Sequence, residues 1–421
     1  MDFRSTIDRL IRGAQSGGPV ATGGEQPVTK RPWLRATRRV KAVGLTAALG
    51  AATALALVLT FVVKSPASPS VSANIGSAVD STPHSQLHVS GNQLLGASGQ
   101  PLVLHGVDRS GTEFMCAHGA GIFDGPDSVA SIQVMKQHGI NAVRVPLNEA
   151  CWNGDSYIKP SMRGAPYQAA VQAYVNRLNA NGMVAVLDLH WTAGQYMGPA
   201  SACASAEAVC QKPMPDAAES IPFWKSVAQT FKGSDAVIFD LFNEPYPDQA
   251  IHNPAAAWRC WLNGGQDCVG IPYQVAGMQT LVNAVRSTGA NNVIMLGGLT
   301  WSNDLSQWLA HEPTDPANNL AASWHSYNFN ACSTMACWNN TLAPVIAKVP
   351  LIAGEIGEND CGGSYVSRLT DWMDSKSASY LAWTWNSDFN CWSGPGLITD
   401  YSGHPTPFGA AYESHLQSLA H

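Results

Sequence analysis

"AVIFDLFNEPYP" runs from Ala236 to Pro247. Its first residues form an apolar run that reads as a buried strand. The run then turns polar at Asn243, Glu244 and Pro245. A carboxylate and an amide placed where an apolar strand ends belong either to a solvated loop or to a reactive site held by a rigid wall. The pattern on either side decides which. Near-continuous apolar segments recur: "LVLHGVD", "NAVRVPL", "MVAVLDLH", "AVIFDLFNE", "NVIMLGGLT", "LAASWHSYN", "PLIAGEIG" and "SYLAWTW". Strands that are apolar on both faces are buried on both faces, which implies a parallel sheet under helices. Helical patterns separate them. In 167–181, Val171, Tyr174, Val175 and Leu178 fall on one face. "FWKSVAQTF" and "VAGMQTLVNAVRS" behave alike. Eight strand–helix units predict an α/β fold, a (β/α)8 TIM barrel. An open doubly wound sheet is the rival, but no Gly-rich dinucleotide loop follows the first strand. Ahead of the barrel, "LHVSGNQLLGASGQPLVLHG" alternates and breaks at Gly, which predicts a short N-terminal β-hairpin.

The chain has 421 residues, 13% charged, with 14 Trp and a formal charge of −6. Residues 1–64 carry ten Lys/Arg against three acids, so the remainder is near −13. No basic face is left for nucleic acid. Residues 1–41 read as a basic cytoplasmic N-terminal segment. Residues 42–63, "AVGLTAALGAATALALVLTFVV", are uncharged and long enough for a hydrocarbon layer of roughly 30 Å. Lys/Arg before this run puts everything after it outside. The run reads as a membrane anchor in preference to a cleaved signal, for which Val71-Ser72-Ala73 would be the site. The expected location is extracellular, tethered by this helix or secreted after cleavage. Residues 64–86 are a Ser/Pro-rich linker, and 87–421 read as one domain and a monomer. None of the ten Cys lies before Cys116. Their even number in the exported part points to disulfides. They fall in close couples, Cys203/Cys210, Cys260/Cys268 and Cys332/Cys337, leaving Cys116/Cys151 and Cys361/Cys391. Without a C-x-x-C pair, zinc is the weaker reading.

Barrel strands end at the active-site face. Arg144, His190, Asn243, Glu244, His325, Tyr327, Glu355 and Trp383 all fall at such ends. Glu244 and Glu355 form the natural carboxylate pair. Opposed carboxylates in a Trp-rich cleft suit glycosidic-bond cleavage, one protonating the leaving oxygen and the other attacking the anomeric carbon or activating water. Glu358 competes with Glu355 but follows Gly357 in "END", where a solvated loop acid is expected. Arg144 could serve only a structural ion pair, and His190 and His325 could be core histidines. Tyr327 could be packing alone. Trp383 and Trp385 alternate, so one faces inward. Trp152, Trp191, Trp258, Trp261, Trp301 and Trp338 are candidate sugar platforms, several of them expected to be core. The 246–273 excursion is long for a βα loop and is expected to wall one end of the cleft, favouring small glycosides.

The motifs "VRVP", "DLH", "FNEP", "WHSY", "AGEIG" and "AWTW", in this order, make residues 87–421 resemble glycoside hydrolase family 5, the cellulase-like retaining β-glycosidases. The resemblance implies Glu244 as acid/base and Glu355 as nucleophile. It implies that Asn243 bonds the substrate 2-hydroxyl, and that Tyr327 and Arg144 hold Glu355 ionised. His190, His325 and Trp383 would line the central sugar subsite. The acid's pKa is expected to be raised by burial or by ionised Glu355. No cofactor and no metal is implied. The expected function is an exported retaining β-glycosidase, foremost an endo-β-1,4-glucanase acting on a β-linked polysaccharide or oligosaccharide. β-Mannanase and exo-acting glycosidase are alternatives, and a non-catalytic carbohydrate-binding barrel is a reading from another class.

Overall fold

A computed structural model describes residues 86–419. The basic segment, the apolar run 42–63 and nearly all of the linker lie outside the described residues. Among the described residues no helix is long and apolar enough to cross a membrane.

The expected hairpin is present, with β1 (His88–Ser90) antiparallel to β2 (Gln93–Leu95). Eight strands then close a parallel barrel: β3 (His105–Asp108), β4 (Ala142–Asn148), β5 (Val184–Trp191), β6 (Val237–Asp240), β7 (Ile294–Gly297), β8 (Leu320–Tyr327), β9 (Leu351–Gly357) and β10 (Ser379–Ala382). β10 pairs with β3 to complete the ring.

Alternation along each strand divides the core in two. Val143, Val145, Ala185, Leu187 and Phe239 pack outward with the helices. Ala142, Val184, Val186, Ile238, Met295, Ala321, Ile352 and Leu381 form a separate inner cluster with Leu87, Leu94 and Leu104. The hairpin's leucines therefore plug one end of the barrel. Its backbone is held there by Leu87 N–H to Asp235 O, at 3.1 Å, and Val89 N–H to Asn319 Oδ1, at 2.6 Å.

The helix at Ala165–Ala180 buries Tyr167, Val171, Tyr174, Val175 and Leu178, the face its i, i+3, i+4 spacing predicts. Pro at its first turn suits a position whose N–H needs no helical partner. Ser220–Phe231 buries Phe223, Trp224, Val227, Ala228 and Phe231 in the same way. Each large apolar side chain so buried stabilises the fold by about 1.5–3 kcal/mol.

The cysteines pair as their proximity suggests: Cys116–Cys151, Cys203–Cys210, Cys260–Cys268, Cys332–Cys337 and Cys361–Cys391. The 246–273 excursion is ordered, with helices at Pro247–Ile251 and Pro254–Asn263, and the third disulfide ties the second helix to Cys268 in the turn that follows it. Trp258 and Trp261 are fully buried inside it, and Trp261 donates to Gly297 O at 2.8 Å. Trp152 and Trp338 are core as well. Of the six candidate platforms, only Trp191 and Trp301 keep partial exposure.

Candidate active site

Inward-facing positions change character one step along the strands. Arg144 continues the inner row begun by Ala142. Asp188 continues Val184 and Val186, and Asp240 continues Ile238. Asp108 lies opposite Arg144 in the β3–β4 register. A polar layer thus sits directly on the apolar one. The Arg144 guanidinium is fully buried at its centre. Its nitrogens lie 2.9 Å from Asp108, 3.1 Å from Asp188, 3.0 Å from Asp240 and 2.9 Å from Glu355. Nη2 also donates to Asn243 Oδ1 at 2.9 Å. One cation cannot neutralise four carboxylates. Burial pushes Asp188 up to about 7 and Asp240 up to about 8, against the lowering effect of Arg144. Asp108 moves up for the same first cause. Sequence reading missed these three aspartates as site residues. Their signal was an acid at an inward position of an otherwise apolar strand.

Arg144 carries donors only, so Asn243 must turn its oxygen toward it. The Asn243 amide NH2 is left facing His190 Nε2, 3.5 Å away. His190 Nδ1 rests on Asp188 Oδ2 at 2.6 Å, and its ring stacks on Trp383 with centroids 5.5 Å apart. Trp383 is partly exposed, whereas Trp385 is buried against His138. Burial lowers His190 to about 4 and His325 to about 3, so both rings are neutral near pH 7.

Glu244 and Glu355 converge on one imidazole. His325 Nδ1 lies 3.1 Å from Glu244 Oε1 and 3.6 Å from Glu355 Oε2. One oxygen of each carboxylate and a His325 nitrogen all fall within 4.8 Å of one another, a set that could also reach a single metal ion. Gly354 allows this approach: a Cβ there would meet His325 Nε2 at 2.8 Å. Tyr327 OH donates to Glu355 Oε2 at 2.6 Å. Burial raises the Tyr327 pKa well above its usual value, so the phenol keeps its proton. Glu244 is held in the left-handed region at φ 53°, a costly conformation for a side chain with a Cβ. Its pKa is pushed up to about 7, by burial first. Ionised Glu355, the other cause expected from sequence, is not among the main contributors.

Glu358 is not a solvated loop acid. It is fully buried and accepts from the backbone N–H groups of Tyr365 and Val366, both at 3.3 Å, at the start of the helix Ser364–Asp374. Its carboxylate is thus engaged by a helix start. Gln211 was also missed. Its Nε2 lies 3.1 Å from Glu244 Oε2, 3.0 Å from Glu244 O and 3.4 Å from Asn243 O. No motif marks it, because it comes from a loop far along the chain.

The pattern of Cellulase (glycosyl hydrolase family 5) matches residues 97–389. The chain belongs to this family, and is a glycoside hydrolase of a retaining kind. It is 21% identical to a mannan endo-1,4-beta-mannosidase of Salipaludibacillus agaradhaerens, over 76% of this chain and 89% of that one. It is 22% identical to an endoglucanase of Clostridium saccharobutylicum, over 71% of this chain and 56% of that one. A beta-glucanase of Saccharophagus degradans in complex with cellotetraose shares the fold, with a TM-score of 0.60 at 18% identity, covering 80% and 94% of the two chains. The catalytic domain of a mannanase from Streptomyces sp. SirexAA-E shares it with a TM-score of 0.55 at 20% identity, covering 81% and 92%.

Proposed function

We propose that the protein is an exported endo-β-1,4-glucanase that works by double displacement, with Glu355 as nucleophile and Glu244 as acid/base. One observation carries the mechanism: two carboxylates with oxygens within 4.8 Å share His325 at the barrel mouth. Retaining glycosidases hold their carboxyl groups roughly 5–5.5 Å apart, and inverting ones leave about 6.5–9.5 Å for a water.

In the first step an oxygen of Glu355 bonds to the anomeric carbon. The bond to the leaving oxygen breaks, and that oxygen takes the proton of Glu244. In the second step Glu244, now ionised, removes a proton from water. The water oxygen bonds to the anomeric carbon and Glu355 leaves. Arg144 and Tyr327, both bonded to Glu355, support a negatively charged nucleophile. Glu244, with its pKa near 7, is suited to give and then take a proton close to neutral pH. The Asn243 NH2 is free of Arg144 and is the group expected to bond the 2-hydroxyl. Trp383 supplies the apolar floor on which a pyranose ring can stack. Five disulfides support export, since such bonds persist in oxidising compartments.

β-Mannan is the second reading, favoured by the mannosidase that this chain matches over 89% of that protein's length. An exo-acting enzyme on short glycosides is a further alternative. The test is a panel of cellulose derivatives, mixed-linkage glucan and mannan, with aryl β-cellobioside and aryl β-glucoside beside it and Glu355→Gln as control. Release of cello-oligosaccharides from the interior of soluble β-1,4-glucan is expected. Turnover of mannan alone, or of aryl glucoside alone, would replace the substrate assignment.

A further inference from the structure

We propose that Gln211 is a positioning residue for the proton donor, held in place by the Cys203–Cys210 disulfide loop and holding both the carboxyl group of Glu244 and the backbone turn beneath it. This rests on the reading of Glu244 as acid/base. The orientation of the amide follows from its surroundings. Two of its three neighbours are backbone carbonyls, those of Asn243 and Glu244, which can only accept. The nitrogen must therefore face them, and one of its hydrogens is directed at Glu244 Oε2, 3.1 Å away. The carbonyls belong to the turn in which Glu244 adopts its positive φ, so the same amide stabilises a backbone conformation that is unfavourable by itself.

Gln211 is in turn fixed from both sides. Cys210 precedes it and closes a short loop with Cys203. Lys212 follows it, buried, and donates to Ser205 O at 2.5 Å across the same loop. Asn148 Nδ2 donates to Ala208 O at 2.7 Å, which anchors the loop to the end of β4. Two contacts tie the segment to the Glu244 turn: Tyr246 N–H donates to Pro213 O at 3.0 Å and Tyr246 OH to Gln211 O at 3.4 Å. None of these residues lies in the strand-end motifs.

The charged and titratable groups facing Glu244 are His325 and Glu355 beside it, His190, Arg144 and Asp188 across the barrel mouth, and Tyr246 and Tyr327 at the edges. Among these, the Gln211 hydrogen bond favours the ionised carboxyl and works against burial. A donor lost there leaves the acid protonated to higher pH.

The test compares the wild type with Gln211→Met, which keeps the length of the side chain without its donors, and with Cys203→Ser/Cys210→Ser. The pH profile of kcat/KM is measured with an alkyl and a dinitrophenyl β-glycoside. Melting temperatures confirm folding. For Gln211→Met the alkaline limb is expected to move up by roughly 0.5–1 unit, with about tenfold loss on the alkyl glycoside and little on the dinitrophenyl one. The double Cys variant is expected to move the limb in the same direction. An unmoved limb with equal loss on both substrates overturns the inference, since a merely structural residue would behave so. An unmoved limb in the double Cys variant overturns the role of the disulfide. Glu244→Ala separates the two levels: if it keeps the wild-type alkaline limb, the assignment of Glu244 itself fails.

Discussion

Arg144→Met removes the one cation that, among the described residues, the buried carboxylates Asp108, Asp188, Asp240 and Glu355 share. Four contacts of 2.9–3.1 Å disappear at once, together with the bond to Asn243. Breaking a buried pair by deleting one partner costs about 3–5 kcal/mol, because a charge is left unpaired in a poor solvent. In a domain this large, each kcal/mol lowers Tm by about 2 °C, so a fall of roughly 6–10 °C is expected at neutral pH. The loss depends on pH. Asp188 and Asp240 already have folded-state pKa values of about 7 and 8, and Asp108 is raised too. Arg144 lowers all three, so its removal raises them further. A carboxyl group whose folded pKa exceeds its unfolded value adds stability that is complete below the unfolded value, near 4. That stability is lost as pH rises through the folded value. Protonation relieves the variant at little cost at pH 5, close to the unfolded value, and at a growing cost as pH rises toward 8. Differential scanning calorimetry at the two pH values reads the effect: the Tm deficit relative to wild type should be clearly smaller at pH 5. Equal deficits, or a deficit below about 2 °C at pH 8, would refute the electrostatic account of the polar layer.

With Glu244 at a pKa of about 7, its protonated fraction falls from about nine-tenths at pH 6 to about one-tenth at pH 8, so kcat/KM on an alkyl glycoside should drop about tenfold over that range. A flat profile would show that the acid titrates elsewhere. Glu355→Ala should abolish turnover and be rescued by azide, giving a sugar azide of inverted configuration. Glu358→Ala should instead lower Tm by a few degrees, through loss of two backbone bonds worth about 1–2 kcal/mol at a helix start, and azide rescue there would reassign the nucleophile. Thiol titration of the denatured, unreduced protein should find almost no free thiol among residues 116–391, and several would contradict the five pairings.

The local chemistry of the chain determined the barrel. Apolar strands too continuous for a one-faced sheet, separated by 3.6-period helices, admit few other arrangements, and strand ends mark the mouth where polar residues collect. That is why Asn243, Glu244 and Glu355 stand out in the sequence, and why closely spaced cysteines could be matched. Tertiary structure decided which groups surround them. Whether Trp258 and Trp261 face sugar or core depended on how the 246–273 excursion folds back, and it folds them inward. Glu358 looked solvated beside Gly357, yet the start of a following helix supplied the N–H groups that let it be buried. Trp383, rather than Trp385, faces the cleft because of the direction each position takes on β10's continuation. The ring of Asp108, Asp188 and Asp240 around Arg144 exists only through the register of four strands. Gln211 reaches Glu244 from a different βα unit, next to the Cys203–Cys210 disulfide. Periodicity and strand ends are properties of neighbouring residues, so a sequence displays them. Register, loop closure and desolvation arise between segments distant in the chain, and only the closed barrel brings those segments together.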